Sequence, residues 1–228
     1  MSEHRYEQYC ALARTLDVVG NRWTLLILRE LRPGSRRFTD LVDGLPGISR
    51  RLLADRLRDL ERDGVVRRRD LPPPAARQVY ELTDDGRDLA IAMSPVVAWG
   101  LRRLGELTAD QAFQPRWAAV GMASAANREA AKGISQTYQY IVGDVAFHFV
   151  VDDGSIEVRD GHAQDADVVV TTDEKTWASV AAGKTRTSAA ISSGALTIEG
   201  EADAVERLRQ IFSLKHIFGT RIPEGADR

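Results

Sequence analysis

Apolar residues recur at helical spacing through most of the first hundred positions of this chain and at alternating spacing through much of the rest. Leu12, Leu16 and Val19 predict one helix over residues 9–19. A second, over 21–31, is apolar on most of its surface at Trp23, Leu25, Leu26, Ile27 and Leu28, the pattern of a buried structural helix. Arg32-Pro33-Gly34-Ser35 ends it. A short third helix over 38–44 turns Phe38 and Leu41 inward together with Leu45, and Leu45-Pro46-Gly47 makes a turn. The fourth, Ser49 to Asp63, has Ser49 placed as its cap and Leu52, Leu53, Leu57 and Leu60 as its inward stripe. Its outward face is Arg50, Arg51, Ala54, Asp55, Arg58 and Arg62. Val65 to Leu71 and Arg77 to Leu82 read as the strands of a hairpin, with Pro72-Pro73-Pro74 at the tip because proline donates no ladder hydrogen bond. A long helix from Asp84 to about Gly105 follows, whose apolar Val96, Val97, Trp99 and Leu104 exceed what so small a domain needs inside.

After a short polar stretch, 106–116, and a helix over 117–132, the period changes. The runs 134–142, 145–151, 155–159 and 167–172 alternate and are punctuated by Gly143-Asp144, Asp152-Asp153-Gly154 and Gly161, which predicts an antiparallel meander. A helix over 173–182, a strand over 195–199 and a helix over 202–212 close the chain. The fold class expected is α+β, with an N-terminal domain over 1–105, a linker over 106–116 and a C-terminal α+β domain with an antiparallel sheet over 117–228.

Composition changes the picture in one respect. The 228 residues carry a net charge of −2, but residues 1–105 hold 19 Arg and no Lys against 15 acids, so that half is basic and the remainder acidic. Fields are screened within roughly 8 to 10 Å at physiological salt, so the local charge decides contact with phosphate. The single cysteine, Cys10, excludes an intrachain disulfide, and no stretch approaches a secretory leader or a membrane span, so a cytoplasmic protein without a membrane partner is expected.

The order of apolar helix, short helix, Arg-bearing helix and Arg-rich hairpin suits a winged helix-turn-helix that binds double-stranded DNA. In that arrangement the start of the second helix of the pair enters the major groove, where Arg bonds bidentately to guanine and short hydroxyls meet base or phosphate. Ser49, Arg50 and Arg51 are the leading readers, with Asp55 and Arg58 further along the face. Arg36, Arg37 and Thr39 before and within the short helix, and Arg69 and Arg77 on the hairpin, are further DNA-binding candidates. The plainer alternative is a solvated helix face on which Arg51 and Asp55 pair, with Arg67, Arg68 and Arg69 merely solubilising the hairpin. Trp99 and its neighbours, with the first helix, suit a homodimer interface, and a two-fold protein reads two half-sites.

Cys10, then Leu16-Asp17-Val18-Val19-Gly20-Asn21-Arg22-Trp23, Leu25-Leu26-Ile27-Leu28-Arg29-Glu30-Leu31, Arg37-Phe38-Thr39-Asp40-Leu41, Leu45-Pro46-Gly47-Ile48-Ser49, Leu57 to Val66 and Tyr80-Glu81-Leu82-Thr83 resemble the HxlR-type winged-helix transcriptional regulators over about residues 9–100. The resemblance implies a homodimer on a palindromic operator. The second hairpin strand departs from it, since the family tends to place an acidic residue just before the Tyr where Val79 stands. Some members use a cysteine at the position of Cys10 to sense oxidants or electrophiles. Cys10 is therefore the redox candidate, against a plain thiol buried beside the dimer contact.

Ala166 to Thr172, Trp177 to Gly183, Gly194 to Gly200 and the final amphipathic helix resemble sterol-carrier-protein-like domains over about residues 117–215. That resemblance implies an apolar tunnel for a lipid or other hydrophobic small molecule, with Phe147, Phe149, Trp177, Val180, Ile191 and Phe212 as candidate lining; each also suits a plain core. The four histidines are scattered, and neither a metal-spaced pair nor a Gly-rich phosphate loop occurs, so no enzyme, cofactor or metal is expected. The expectation is a homodimeric, DNA-binding transcriptional regulator modulated by a small apolar effector in its second domain, and the alternative is a sensor acting through Cys10 with that domain as scaffold.

Overall fold

The computed structural model describes residues 6–72, 77–104, 107–182 and 184–213, and by packing the chain divides into two units, Met1–Ile91 and Ala92–Arg228. The first unit carries α1 (Ala11–Val19), α2 (Thr24–Leu31), α3 (Phe38–Asp43), α4 (Arg50–Arg62), β1 (Val66–Leu71), β2 (Arg77–Leu82) and α5 (Asp84–Ala92). Its core is Ile27, Leu28 and Leu31 from α2, Leu41 and Leu45, Leu53, Leu57 and Leu60 from α4, and Val66, Val79 and Leu82 from the hairpin, all buried, whereas Phe38 and Leu52, expected to point inward, are only half-buried. Helix α2 starts three residues later than its apolar pattern suggests. The reason is Trp23, whose φ of 80° is left-handed and breaks the helical run of Asn21-Arg22 before Thr24.

Local chemistry terminates α4. Gly64, at φ 74°, accepts the left-handed conformation, its N–H bonds Glu61 O at 3.1 Å and the Val65 N–H bonds Leu60 O at 2.9 Å, a Schellman closure that turns the chain into β1. Thr83 then begins α5, its Oγ1 accepting from Gly86 N at 3.0 Å and donating to Gly64 O at 2.6 Å. The hairpin pairs Val66 with Leu82 and Leu71 with Arg77. A member that the sequence pattern does not announce joins it: Arg36 bridges Tyr80 through N–H···O bonds of 2.9 and 2.7 Å. The tip residues Pro73 and Pro74 lie outside the described residues.

The long helix predicted from Asp84 to about Gly105 is two helices. Helix α6 (Ser94–Leu101) begins afresh after Met93, because Pro95 has no N–H to continue the ladder. It belongs to the second unit and packs on α7 (Pro115–Ala125), where Leu101 comes against Gly121. That unit continues with β3 (Ser135–Val142), β4 (Val145–Asp152), β5 (Ser155–Asp160), β6 (Val168–Thr172), α8 (Glu174–Ala181), α9 (Thr187–Ser192), β7 (Leu196–Gly200) and α10 (Ala202–Ile211). Helix α9 was not expected.

The class is α+β, but the second sheet is mixed rather than antiparallel. Its order is β5-β4-β3-β6-β7, with β6 parallel to β3 and the other neighbours antiparallel. After β5 the chain crosses the sheet face to enter beside β3. Buried Gln139 pins that crossing, its Oε1 accepting from Ala163 N at 2.6 Å and its Nε2 donating to Phe147 O at 2.9 Å, and Asp167 N reaches Thr137 O at 2.9 Å. Residue alternation shows which face a strand buries and not which way its neighbour runs, so this pairing was not legible. Among the described residues no helix is long and apolar enough to cross a membrane.

Candidate nucleic-acid interface

The start of α4 is built by three neighbours in sequence. Gly47, at φ 92°, turns the chain after Leu45-Pro46, and the edge of the Trp23 ring reaches this turn, where a β-carbon on residue 47 would stand 3.7 Å from Cη2. Ser49 is extended, and its hydroxyl accepts from Leu52 N at 3.2 Å, satisfying one of the free N–H groups of the first turn. Arg50 and Arg51 follow, both exposed. The first turn holds no acid, so the positive end of the helix and two guanidinium groups reinforce one another.

The arginines fall into two sets. Among the described residues Arg50 and Arg51 make no ion pair and no side-chain hydrogen bond. Others on the same face or the hairpin are engaged. Arg58 Nη1 meets Asp55 Oδ1 at 3.1 Å, so two predicted readers are partners of each other, and the pairing of Asp55 with Arg51 that the plainer alternative supposes is not formed. Arg56 and Arg62 share Asp59 at 3.0 and 3.3 Å. Arg69 Nε donates to Glu81 Oε2 at 2.8 Å, and Arg67 Nε to Glu81 Oε1 at 2.7 Å. Burial works to raise the Glu81 carboxyl, but the two guanidinium groups outweigh it and hold the group below the usual glutamate range.

The remaining candidates are spread along the unit. Arg37 and Thr39 are exposed at the start of α3, where Arg37 N donates to Asp40 Oδ2 at 3.0 Å. Arg36 is half-buried and its backbone is committed to Tyr80, and Arg77 is exposed at the start of β2. Sequence reasoning missed Trp23, Glu61 and Glu81. The hairpin register, which sets Arg67 opposite Glu81, was the signal for the last of these. Cys10 is exposed at the N-cap of α1, so the thiol is not buried within this chain.

In the second unit five of the six candidate lining residues, Phe147, Phe149, Trp177, Val180 and Phe212, belong to one buried cluster, and Ile191 packs against it. Phe149 meets Phe212 at 4.6 Å between ring centres, Tyr140 stacks on Phe147 at 5.4 Å, and Trp177 lies 5.5 Å from Tyr140 and 5.9 Å from Phe147. Val180 is buried with them and Ile191 packs against their edge. Burial lifts the Tyr138 hydroxyl to about 12 and that of Tyr140 further, so both phenols are neutral core groups. An open depression of about 640 Å³ lies apart from them, lined by Gln136, Ala166, Asp167, Gly200, Glu201, Asp203 and Ala204, and is acidic.

Two family matches follow one another along the chain. Residues 18–107 match the HxlR-like helix-turn-helix family and residues 118–213 the SCP-2 sterol transfer family. The chain is similar to YvaP, an uncharacterized HTH-type transcriptional regulator of Bacillus subtilis, with 38% identity over 86 residues that make up 38% of this chain and 80% of YvaP. It is also similar to the HTH-type transcriptional regulator YodB of the same organism, 35% identical over 83 residues, 36% of this chain and 74% of YodB. The solved reduced form of YodB aligns at 31% identity over 42% of this chain and 96% of that one, with a TM-score of 0.38.

Proposed function

Because the chain belongs to the HxlR-like helix-turn-helix family of transcriptional regulators and carries an SCP-2 sterol transfer family domain, we propose that it binds a two-fold DNA operator as a homodimer. The first turn of α4 reads base edges, and a small apolar effector acts through the second domain. The observation that carries the reading is the exposed pair Arg50 and Arg51 beside the Ser49 cap, free among the described residues, while Arg58 of the same helix and Arg67 and Arg69 of the hairpin are occupied by carboxylates. Unpaired guanidinium groups engage guanine or phosphate without first breaking an ion pair.

The dimer is supported by large apolar side chains left exposed: Tyr9 just before α1, Leu12 on α1, and Val96 and Trp99 on α6. The DNA-binding and dimerisation part spans 1–105, the linker 106–116 and the effector domain 117–228; the family matches over 18–107 and 118–213 favour an inner boundary near there, although packing groups α6 with the second unit. A regulator of this kind works in the cytoplasm. The effector shifts operator affinity only by as much as it prefers one dimer geometry over the other.

A second reading is favoured by the packed aromatic cluster and the exposed thiol. In it the second domain is a scaffold, and two Cys10 thiols from two copies form a disulfide, giving two electrons and two protons to a quinone or peroxide oxidant.

Binding of the full chain to a duplex of the DNA upstream of its own coding sequence, from 50 to 200 mM salt, tests the proposal. The expected result is tight binding that falls steeply with salt and shifts with a long-chain fatty acid or sterol. Salt-independent or absent binding overturns it, and an oxidant response that is lost in Cys10→Ser selects the second reading.

A further inference from the structure

The antiparallel register sets Arg67 directly opposite Glu81, and Arg69, two residues on, shares that face. The Glu81 carboxylate gives one oxygen to each: Oε1 accepts from Arg67 Nε at 2.7 Å and Oε2 from Arg69 Nε at 2.8 Å. Its side chain is 13% exposed beneath guanidinium groups that are 58% and 50% exposed, so the acid is covered by the bases it holds. On the other face Arg68 makes a two-pronged contact with Glu61 of α4, Nε to Oε1 at 2.6 Å and Nη2 to Oε2 at 2.9 Å, and lies over the Tyr80 ring at 5.8 Å. Three consecutive arginines are thus held by two carboxylates, one from the hairpin and one from the reading helix.

A carboxylate offers guanidinium the same two-oxygen geometry that a DNA phosphate does. With both acids in place the five groups carry a net single positive charge. We propose that Glu81 and Glu61 are positioning residues that withhold Arg67, Arg68 and Arg69 from backbone phosphate, so that sequence-independent affinity is kept low and binding depends on Arg50 and Arg51. The inference rests on the DNA-binding reading above. Neutralising either acid frees its arginines for phosphate and releases counterions from the DNA in proportion.

The test is binding of the full chain and its Glu81→Gln variant to two fluorescein-labelled duplexes, one of random sequence and one of the upstream DNA, between 50 and 200 mM salt. Each further phosphate that the freed arginines neutralise steepens the plot of log affinity against log salt by about 0.9 and raises affinity at 0.1 M salt about tenfold. Glu81→Gln is expected to add one or two such phosphates, equally on both duplexes, and the effect is removed again by Arg67→Ala with Arg69→Ala in the Glu81→Gln background. Glu81→Asp, which keeps the charge, is expected to retain the parent slope. Glu61→Gln, freeing Arg68 alone on the opposite face, is an independent second arm expected to add about one phosphate, read even where Glu81→Gln perturbs the fold. Wild-type binding that is steep in salt with unchanged slopes in the folded variants overturns the inference and leaves the DNA-binding reading standing. Wild-type binding that is absent or flat in salt on both duplexes overturns the two together.

Discussion

Glu30 closes against Gly44: its carboxylate is buried, and a β-carbon on residue 44 would overlap Oε2. The same carboxylate accepts from Arg29 Nε at 2.9 Å and Nη2 at 2.6 Å, while Arg29 Nη2 also reaches Gly44 O at 3.1 Å. The last turn of α2 is thereby tied to the end of α3, one turn of chain before the reading helix. Gly44→Ala is expected to destabilise the first domain by about 1 to 3 kcal/mol through overpacking. Glu30→Ala, which removes the acid from a buried pair, is expected to cost about 3 kcal/mol or more. Urea denaturation followed by tryptophan fluorescence measures both, and an unchanged midpoint in Gly44→Ala would mean that the Glu30 side chain moves aside freely.

Capping and reading separate at Ser49. Alanine there removes the bond to Leu52 N and is expected to lower stability by about 1 kcal/mol. Aspartate keeps a capping oxygen and the stability, but sets a negative charge where phosphate approaches. Ser49→Asp should therefore melt like the parent and bind operator much more weakly; parental affinity would place Ser49 away from the DNA.

The two arginine sets differ in cost on removal. Arg50→Ala and Arg51→Ala are each expected to lose about 1 to 3 kcal/mol of operator binding. Arg58→Ala, whose guanidinium is already engaged by Asp55 on an exposed face, should lose less. Equal losses at all three positions, measured by anisotropy on one duplex, would remove the distinction between free and occupied cations.

Acid should loosen the hairpin. The Glu81 carboxyl is held below its ordinary value of 4.5 by Arg67 and Arg69 against the opposing effect of burial. A carboxyl lowered on folding contributes stability that is fully present above its unfolded value and is lost as pH falls through the lowered one. The contribution is thus complete above about pH 4.5 and disappears below it. Melting curves of the parent and of Glu81→Gln should differ at pH 7 and converge under acid conditions, and a constant gap would assign the difference to packing.

Phe212→Ala opens the aromatic cluster where Phe149 meets it at 4.6 Å. The loss is expected to be about 3 to 5 kcal/mol, as for a large core side chain. If an apolar effector enters here it must displace this ring, so the variant should bind a long-chain fatty acid more tightly than the parent. Fatty acid binding that is unchanged in Phe212→Ala would exclude entry between these rings.

Much of the fold was legible because its causes are local. The leucine stripe of α4, its Ser49 cap, its stop at Gly64 and the strand Arg77–Leu82 were all read from residues a few positions apart, and the structure has them at those positions within a residue. The break at Met93 was missed: Pro95 signals it, but the continuous apolar pattern across 89–104 reads as one helix. The late start of α2 at Thr24 was not, because a left-handed tryptophan is exceptional on steric grounds.

What the sequence determined by itself is most of the elements, though not α9 or the break between α5 and α6, the cap and face of the reading helix, and the concentration of positive charge in the first half. These follow from backbone periodicity, from hydrogen bonds between near neighbours, and from counting. Only the tertiary structure decided which arginines are free, that β6 runs parallel to β3, and that the six candidate lining residues pack against one another. Each of those depends on groups far apart in the chain. Ion-pair contact and ring packing need partners within a few ångströms, so which charge is paired and which rings meet is settled only when folding brings the partners within reach.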